Sequence, residues 1–318
     1  MKKSLIALAA LAFVGAAAAQ SSVTLYGVAD IWVGKFKEEQ DSTTKVISKG
    51  QTRAGSGGVA TSRWGVKGAE DLGGGLKANF NFEQGVDLVN GAAAGFTRQA
   101  NVGFSGGFGT VKLGKSWTAL DDVFGAANSG FDSALSANKV WLNSYTDSAD
   151  AQIYYATPVY AGFSGAISTQ LNGNVAAPAS TNKTTAFNVK YAAGPIAAAV
   201  GYEDSPKQKG TMFNGSYDLG VAKLLGSYYT TKADTTNSKT NSYQFGADIP
   251  LSSALTLSVG YANSKVKGTA KADSAFSIAA GYSLSKRTLV YTGYKAESIK
   301  SVGNPDKDLF AIGVNHSF

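Results

Sequence analysis

The sequence predicts an all-β protein: sixteen antiparallel strands closed into a barrel that crosses a membrane. Three observations carry that prediction. Apolar and polar residues alternate with period 2 in segments of about ten residues. The connections between those segments fall into a short and a long class. Charged residues make up only 16 % of the chain although 44 % of it is hydrophobic, whereas an ordinary soluble domain carries roughly 25 % charge.

The chain opens on MKKSLIALAALAFVGAAAAQ, with Lys2 and Lys3, an apolar stretch over 5–14, and Ala17, Ala18 and Ala19. This is the layout of a secretory signal peptide cleaved after Ala19. The expected division is therefore a signal peptide over 1–19 and a single barrel over 20–318. No later window approaches the roughly 18 uninterrupted apolar residues of a transmembrane helix. The first expected strand, 23–33, puts Val23, Leu25, Gly27, Ala29, Ile31 and Val33 on one face and Thr24, Tyr26, Val28, Asp30 and Trp32 on the other. In 76–83, Leu76, Ala78, Phe80 and Phe82 oppose Lys77, Asn79, Asn81 and Glu83, and 310–318 alternates in the same way. Further strands are expected at 60–70, 97–106, 108–117, 151–160, 161–171, 184–193, 195–204, 210–218, 221–232, 240–249, 254–264, 274–284 and 287–297.

Seven short turns, such as 71–75 and 250–253, alternate with eight longer polar connections, of which 118–150 is the longest at 33 residues. Both chain ends then fall on the short-turn side, the layout of a bacterial outer-membrane barrel. Its apolar face looks at lipid and its polar face at a lumen. Tyr155, Tyr191, Tyr202, Tyr217, Tyr228, Tyr261 and Tyr282 recur near strand ends, where aromatic girdles sit at the membrane interfaces.

Composition also narrows the chemistry. The chain has no cysteine and a single histidine, His316, which removes thiolate metal sites, cysteine nucleophiles and any mechanism needing two imidazoles. A Ser–His hydrolase would have to use His316, on the lipid-facing register of the last strand, so no enzyme is expected. The run from Gly109 to Ser116 fits the pattern G-x-x-x-x-G-K-[ST], but Thr110, Lys112 and Gly114 alternate with Val111 and Leu113. It therefore reads as a strand and not as a phosphate loop before a helix. No cofactor is expected, and no nucleic acid either, because the longest basic run after the leader is Lys286-Arg287.

SSVTLYGVAD (21–30), SRWGVKGAEDLGGGLKANFNFE (62–83), GGFGTVKLGK (106–115), YSLSKRT (282–288) and the terminal HSF (316–318) resemble the Gram-negative general porins of the beta-proteobacterial type. The resemblance implies a homotrimer in the outer membrane among lipid and lipopolysaccharide, with a third loop folded into the pore. It also implies a terminal Phe318 read by the barrel-assembly machinery. The implied function is passive diffusion of ions and small hydrophilic solutes. A channel specific for one anion or sugar is the alternative, and it would want an aromatic track, whereas the inward Tyr26, Trp32 and Tyr229 are scattered.

Counting alternation from the lipid face, Arg63, Lys67, Lys77, Lys112, Lys190 and Lys223 point inward, as do Asp30, Glu83 and Asp248. Arg63, Lys67 and Lys77 form a ladder rather than a ring. Arg98 has the lipid parity of its strand, and the resemblance implies that it joins Arg63 at the constriction. The long loop carries Asp121, Asp122, Asp132, Asp147 and Asp150 against Lys139. Folded inward, it faces the basic wall and sets a field across the waist. The residues expected to form the constriction are thus Arg63, Lys67, Lys77, Arg98, Lys112, Asp121, Asp122 and Asp132. Wall and loop charges nearly cancel, and the segment TDSAD (146–150) lacks the arginine that related porins commonly carry there. Weak charge selectivity is the expectation.

Overall fold

The structure, a computed structural model, describes residues 21–39, 48–171, 183–301 and 306–318. The expected signal peptide, 1–19, lies outside the described residues. The sheet opens with β1 (Ser22–Glu39), β2 (Ser48–Ser56), β3 (Arg63–Gly73), β4 (Leu76–Gly85), β5 (Gln99–Gly106) and β6 (Gly109–Trp117). After the longest connection come β7 (Ser148–Ala156), β8 (Phe163–Gln170), β9 (Thr185–Ala193), β10 (Ile196–Asp204), β11 (Gln208–Asp218) and β12 (Lys223–Ala233). It ends with β13 (Lys239–Pro250), β14 (Leu255–Val266), β15 (Asp273–Ser283), β16 (Thr288–Ser298) and β17 (Asp306–Ser317).

Successive strands pair antiparallel, and β17 returns to β1 from Val28↔Ser317 to Glu39↔Asp306, closing the sheet. One half of β1 pairs with β2, starting at Ile31↔Ser56, and the other half with β3, ending at Val28↔Arg63. β2 and β3 are therefore two pieces of one stave, parted by residues 57–62, and the barrel has sixteen staves. All sixteen expected strands are present. The segment 48–56, SKGQTRAGS, was expected to be loop because it shows no apolar alternation, and the long end of β1 holds it in the sheet instead. The two classes of connection are also less separate than the sequence predicts. Only residues 205–207 join β10 to β11, where Ser205 Oγ donates 2.9 Å to the Gln208 carbonyl.

Register fixes the faces. The pairs Gly65↔Glu83, Asn81↔Asn101, Lys112↔Tyr154, Asn188↔Gly201 and Ser227↔Gln244 share the inner face. Val23, Leu25, Val102, Phe104, Ile167, Phe213, Phe245 and Ile312 stand exposed on the outer one. Many fully buried positions on the inner face of the strands are instead polar, among them Gln152, Ser168, Glu203, Ser242, Gln244 and Ser258. This inverts the arrangement of a water-soluble protein and suits a lipid solvent. All seven strand-end tyrosines named above have outward register, for example Tyr217↔Ile196 and Tyr282↔Leu255. The small-residue runs AAA (197–199) and AAG (279–281) are mostly turned inward. Ala199 and Ala279 are buried, and only Ala198 and Ala280 keep the outer register. The turn between β3 and β4 is tight because Gly73, Gly74 and Gly75 all adopt positive φ (85°, 61° and 80°), which costs glycine little.

Phe213 lies at the middle of β11 on the outer face. Phe213→Arg is expected to destabilise the barrel by about 2–4 kcal/mol, measured by reversible urea unfolding in phospholipid vesicles.

Candidate functional site

Residues 118–147 leave β6 and return to β7 across the inner face of the barrel. Their base is tied where Thr118 N donates to the Asp147 carbonyl (2.8 Å) and Thr118 Oγ1 to the Thr146 carbonyl (2.8 Å). The outward run begins with a single helical turn, α1 (Asp121–Phe124). Ser168 of β8 accepts from Ala119 N (3.0 Å), and Asn214 of β11 donates to the Val123 carbonyl. Gln244 of β13 donates to the Ala127 carbonyl (2.6 Å), and Ser258 of β14 accepts from Gly130 N (2.8 Å). On the way back, Leu142 N donates to Ser264 Oγ (2.9 Å) and Thr146 N to Glu203 Oε2 (3.0 Å). The wall from β8 to β14 is thus polar because it holds a backbone, and its hydroxyls and amides satisfy peptide groups that have no ladder partner. Aromatic packing stiffens the loop: Phe124 stacks on Tyr145 with centroids 3.7 Å apart and meets Tyr229 of β12 edge-on at 5.3 Å.

The opposite wall stays uncovered and is basic. Glu83, buried on β4, accepts from Arg98 Nε at 2.8 Å and Tyr26 OH at 2.9 Å, and pairs with Arg63 Nε at 3.3 Å. Arg98 precedes β5, so lipid parity does not bind it, and its guanidinium also lies 4.8 Å over the Trp117 ring. Lys67 Nζ sits 4.8 Å over Tyr26, and Lys112 Nζ 4.7 Å over Tyr154. Rings hold these ammonium groups against the wall without neutralising them. Lys67 and Lys112 border a cavity of 390 Å³ that Asn79, Asn81, Gln99 and Asn101 also line.

The expected constriction residues do not form one cluster. Arg63 and Arg98 meet on Glu83, with Lys67 and Lys112 beside the cavity. Lys77 lies six residues along β4 from Glu83 and pairs in register with Asp71 next to the short turn, about 20 Å away, so it belongs to the short-turn mouth. In the loop, Asp122 Oδ2 accepts from Tyr154 OH (2.6 Å), which places the carboxylate close enough to act electrostatically on Lys112. Asp121 Oδ1 accepts from Tyr145 OH (2.7 Å) and Asp132 Oδ1 from Asn128 Nδ2 (2.7 Å), both within the loop. Among the described residues none of these three acids forms an ion pair with Arg63, Lys67, Arg98 or Lys112.

Burial pushes the Asp121 carboxyl up to about 6. The Tyr145 hydrogen bond opposes the shift, and the negative Asp147, Asp122 and Asp132 add to it. The Tyr145 hydroxyl is itself raised by burial and by Asp121.

Two of the three inward acids are not free lumen charges. Asp30 is fully buried, with its carboxylate taken up by backbone amides, and Glu83 is shared by two guanidiniums. The rings under the cations were not foreseen as partners, although parity already turned Tyr26 inward. Arg53 was missed because it sits in the segment expected to be loop; it lies 4.8 Å over Phe36. His316 Nδ1 lies 2.9 Å from Thr288 Oγ1 on the outer register, and the phosphate-loop look-alike is β6.

A family model for Gram-negative porins matches residues 5–300. Outer membrane porin protein 32 of Delftia acidovorans is 33 % identical over 99 % of this chain and 95 % of its own length. An anion-selective porin from Comamonas acidovorans superposes with a TM-score of 0.81 at 25 % identity, covering 94 % of this chain and all of that one. The in-vitro folded OmpT of Vibrio cholerae, in its trimer form, shares the fold at a TM-score of 0.70 and 17 % identity over 94 % of this chain and 99 % of its own.

Loop docking needs a bare backbone at Gly201 of β10, where a Cβ would lie 2.6 Å from Leu120 Cδ1 and 2.8 Å from Val123 Cγ2. Gly201→Val is expected to weaken docking by about 1–3 kcal/mol and to speed tryptic cleavage after Lys139, read by the appearance of the two fragments.

Proposed function

The chain belongs to the Gram-negative porin family and is an outer-membrane channel protein rather than an enzyme, and on that premise we propose that it passes ions and small hydrophilic solutes passively with weak charge selectivity. One observation carries this reading. The loop lies against one wall of the barrel and leaves the Arg63–Glu83–Arg98 cluster and the Lys67–Lys112 cavity open on the other. Solutes passing between the walls meet the cations of the uncovered side, with Asp122 of the loop next to one of them, and their hydration is exchanged for wall groups. Hiding Asp30 and clamping Glu83 favours anions, in line with the anion-selective relative. Asp122 beside Lys112 works against that preference, and the two effects keep the selectivity small.

A homotrimer surrounded by lipid and lipopolysaccharide suits the exposed apolar exterior and the relative described as a trimer. Phe318 exchanges backbone hydrogen bonds with Gly27 (3.0 and 3.1 Å) and keeps its side chain half exposed, open to recognition by the barrel-assembly machinery before closure.

Planar-bilayer recording of the detergent-extracted protein tests the proposal. Conductance proportional to salt concentration supports it. No conductance, or conductance that saturates with one sugar or one anion, overturns general diffusion. In a salt gradient, Glu83→Gln leaves both guanidiniums unneutralised and is expected to move the reversal potential toward anion preference. Asp121 carries its proton below about pH 6, so acidification from pH 7.5 to 5 removes one negative charge from the loop. The reversal potential should shift toward anions with a midpoint near pH 6, and Asp121→Asn should abolish that step.

A further inference from the structure

Residues 57–62, which part β2 from β3, fold inward as a strap whose attachments centre on one carboxylate. Asp30 Oδ1 accepts from Gly58 N (2.7 Å) and Tyr291 OH (2.7 Å). Its Oδ2 accepts from Val59 N (3.0 Å), Ala60 N (2.9 Å) and Asn315 Nδ2 (2.7 Å). The Asp30 backbone adds three bonds: its carbonyl accepts from Gly57 N (2.8 Å) and Ser62 Oγ (2.8 Å), and its N–H donates to Ser62 Oγ (3.0 Å). A fully buried carboxylate is costly in a low-dielectric site unless donors surround it. Five donors do so here, three of them from the strap and two from β16 and β17.

The strap in turn holds the tip of the long loop. Ala134 N donates to the Gly58 carbonyl at 2.7 Å. Val59 of the strap and Phe131 and Ala134 of the tip pack against one buried cluster, which contains Leu135, Tyr291 and Leu309. A second observation points the same way: Phe131 and Asp132 at the tip both have positive φ, 62° and 50°. Non-glycine residues keep that conformation only where their surroundings over-determine it.

Resting on the channel reading above, we propose that Asp30 is the positioning residue for the pore loop. Through the strap it clamps the loop tip against β16 and β17 and so fixes the width of the permeation path. Asp30 itself touches no solute. Its effect runs through Gly58 and Ala134.

Single-channel recording of two variants tests the assignment. Ala134→Pro removes the N–H that joins tip to strap and leaves Asp30 and the barrel ladder intact. Its expected signature is loss of the single quiet open level, replaced by fluctuation among levels of higher mean conductance, with wild-type thermal unfolding. Asp30→Asn keeps the shape but turns a donor toward the strap amides, and it should show the same fluctuation in protein that folds. Steady wild-type current in a folded Asp30→Asn barrel, or in Ala134→Pro, overturns the proposal. If Asp30→Asn does not fold, Ala134→Pro alone decides. A conducting wild-type channel in the same experiment keeps failure of this inference distinct from failure of the channel reading.

Discussion

Backbone groups in hydrocarbon have no water to turn to, and each one left unpaired costs several kcal/mol. Closure of the sheet follows from that constraint, and so does most of this structure. β1 serves it three times over, by pairing with β17 on one side and with β2 and β3 in succession on the other. The chain can leave the barrel wall at 57–62 only because the strap's amides find another acceptor in Asp30. A break in a stave and a buried acid are therefore two parts of one solution.

The same accounting governs the interior. A long segment inside a barrel carries peptide groups that no ladder satisfies, and the inner face of β8 to β14 answers with Ser168, Asn214, Gln244, Ser258 and Ser264. Small inward residues complete the fit. Gly201 admits Leu120 and Val123, and Gly293 lies against Leu135. On the uncovered wall the demand reverses, since charges there must stay available to solutes and yet keep their places. Aromatic faces under Lys67, Lys112 and Arg98 do this without cancelling charge, whereas Glu83 holds Arg63 and Arg98 at the expense of part of theirs.

The free charge inside the barrel is consequently a matter of which groups are hidden, and not of how many there are. Asp30, Glu83 and Asp248 have equal weight in a tally of inward residues. In the fold Asp30 is sealed from the path, Glu83 is shared by two guanidiniums, and Asp248 accepts from Ser258 Oγ at 2.5 Å beside its register partner Lys223. Asp122 lies beside Lys112, both of them meeting Tyr154, while Asp121 and Asp132 are held by partners in their own loop.

Strand number, the inward or outward sense of Lys67, Lys112 and Glu83, and the outward tyrosines were all legible in the sequence, because period 2 is imposed locally by the pleat and one face must suit lipid. β2 was not, since SKGQTRAGS has no alternation and owes its place to the length of β1. Parity gave Arg98 the wrong side, because it stops applying where the ladder ends. The grouping of Lys67 with Lys112 and not with Lys77, the burial of Asp30 and the seating of the loop depend on how residues from distant strands meet. Local periodicity carries no information about such meetings, and only closure of the barrel decides them.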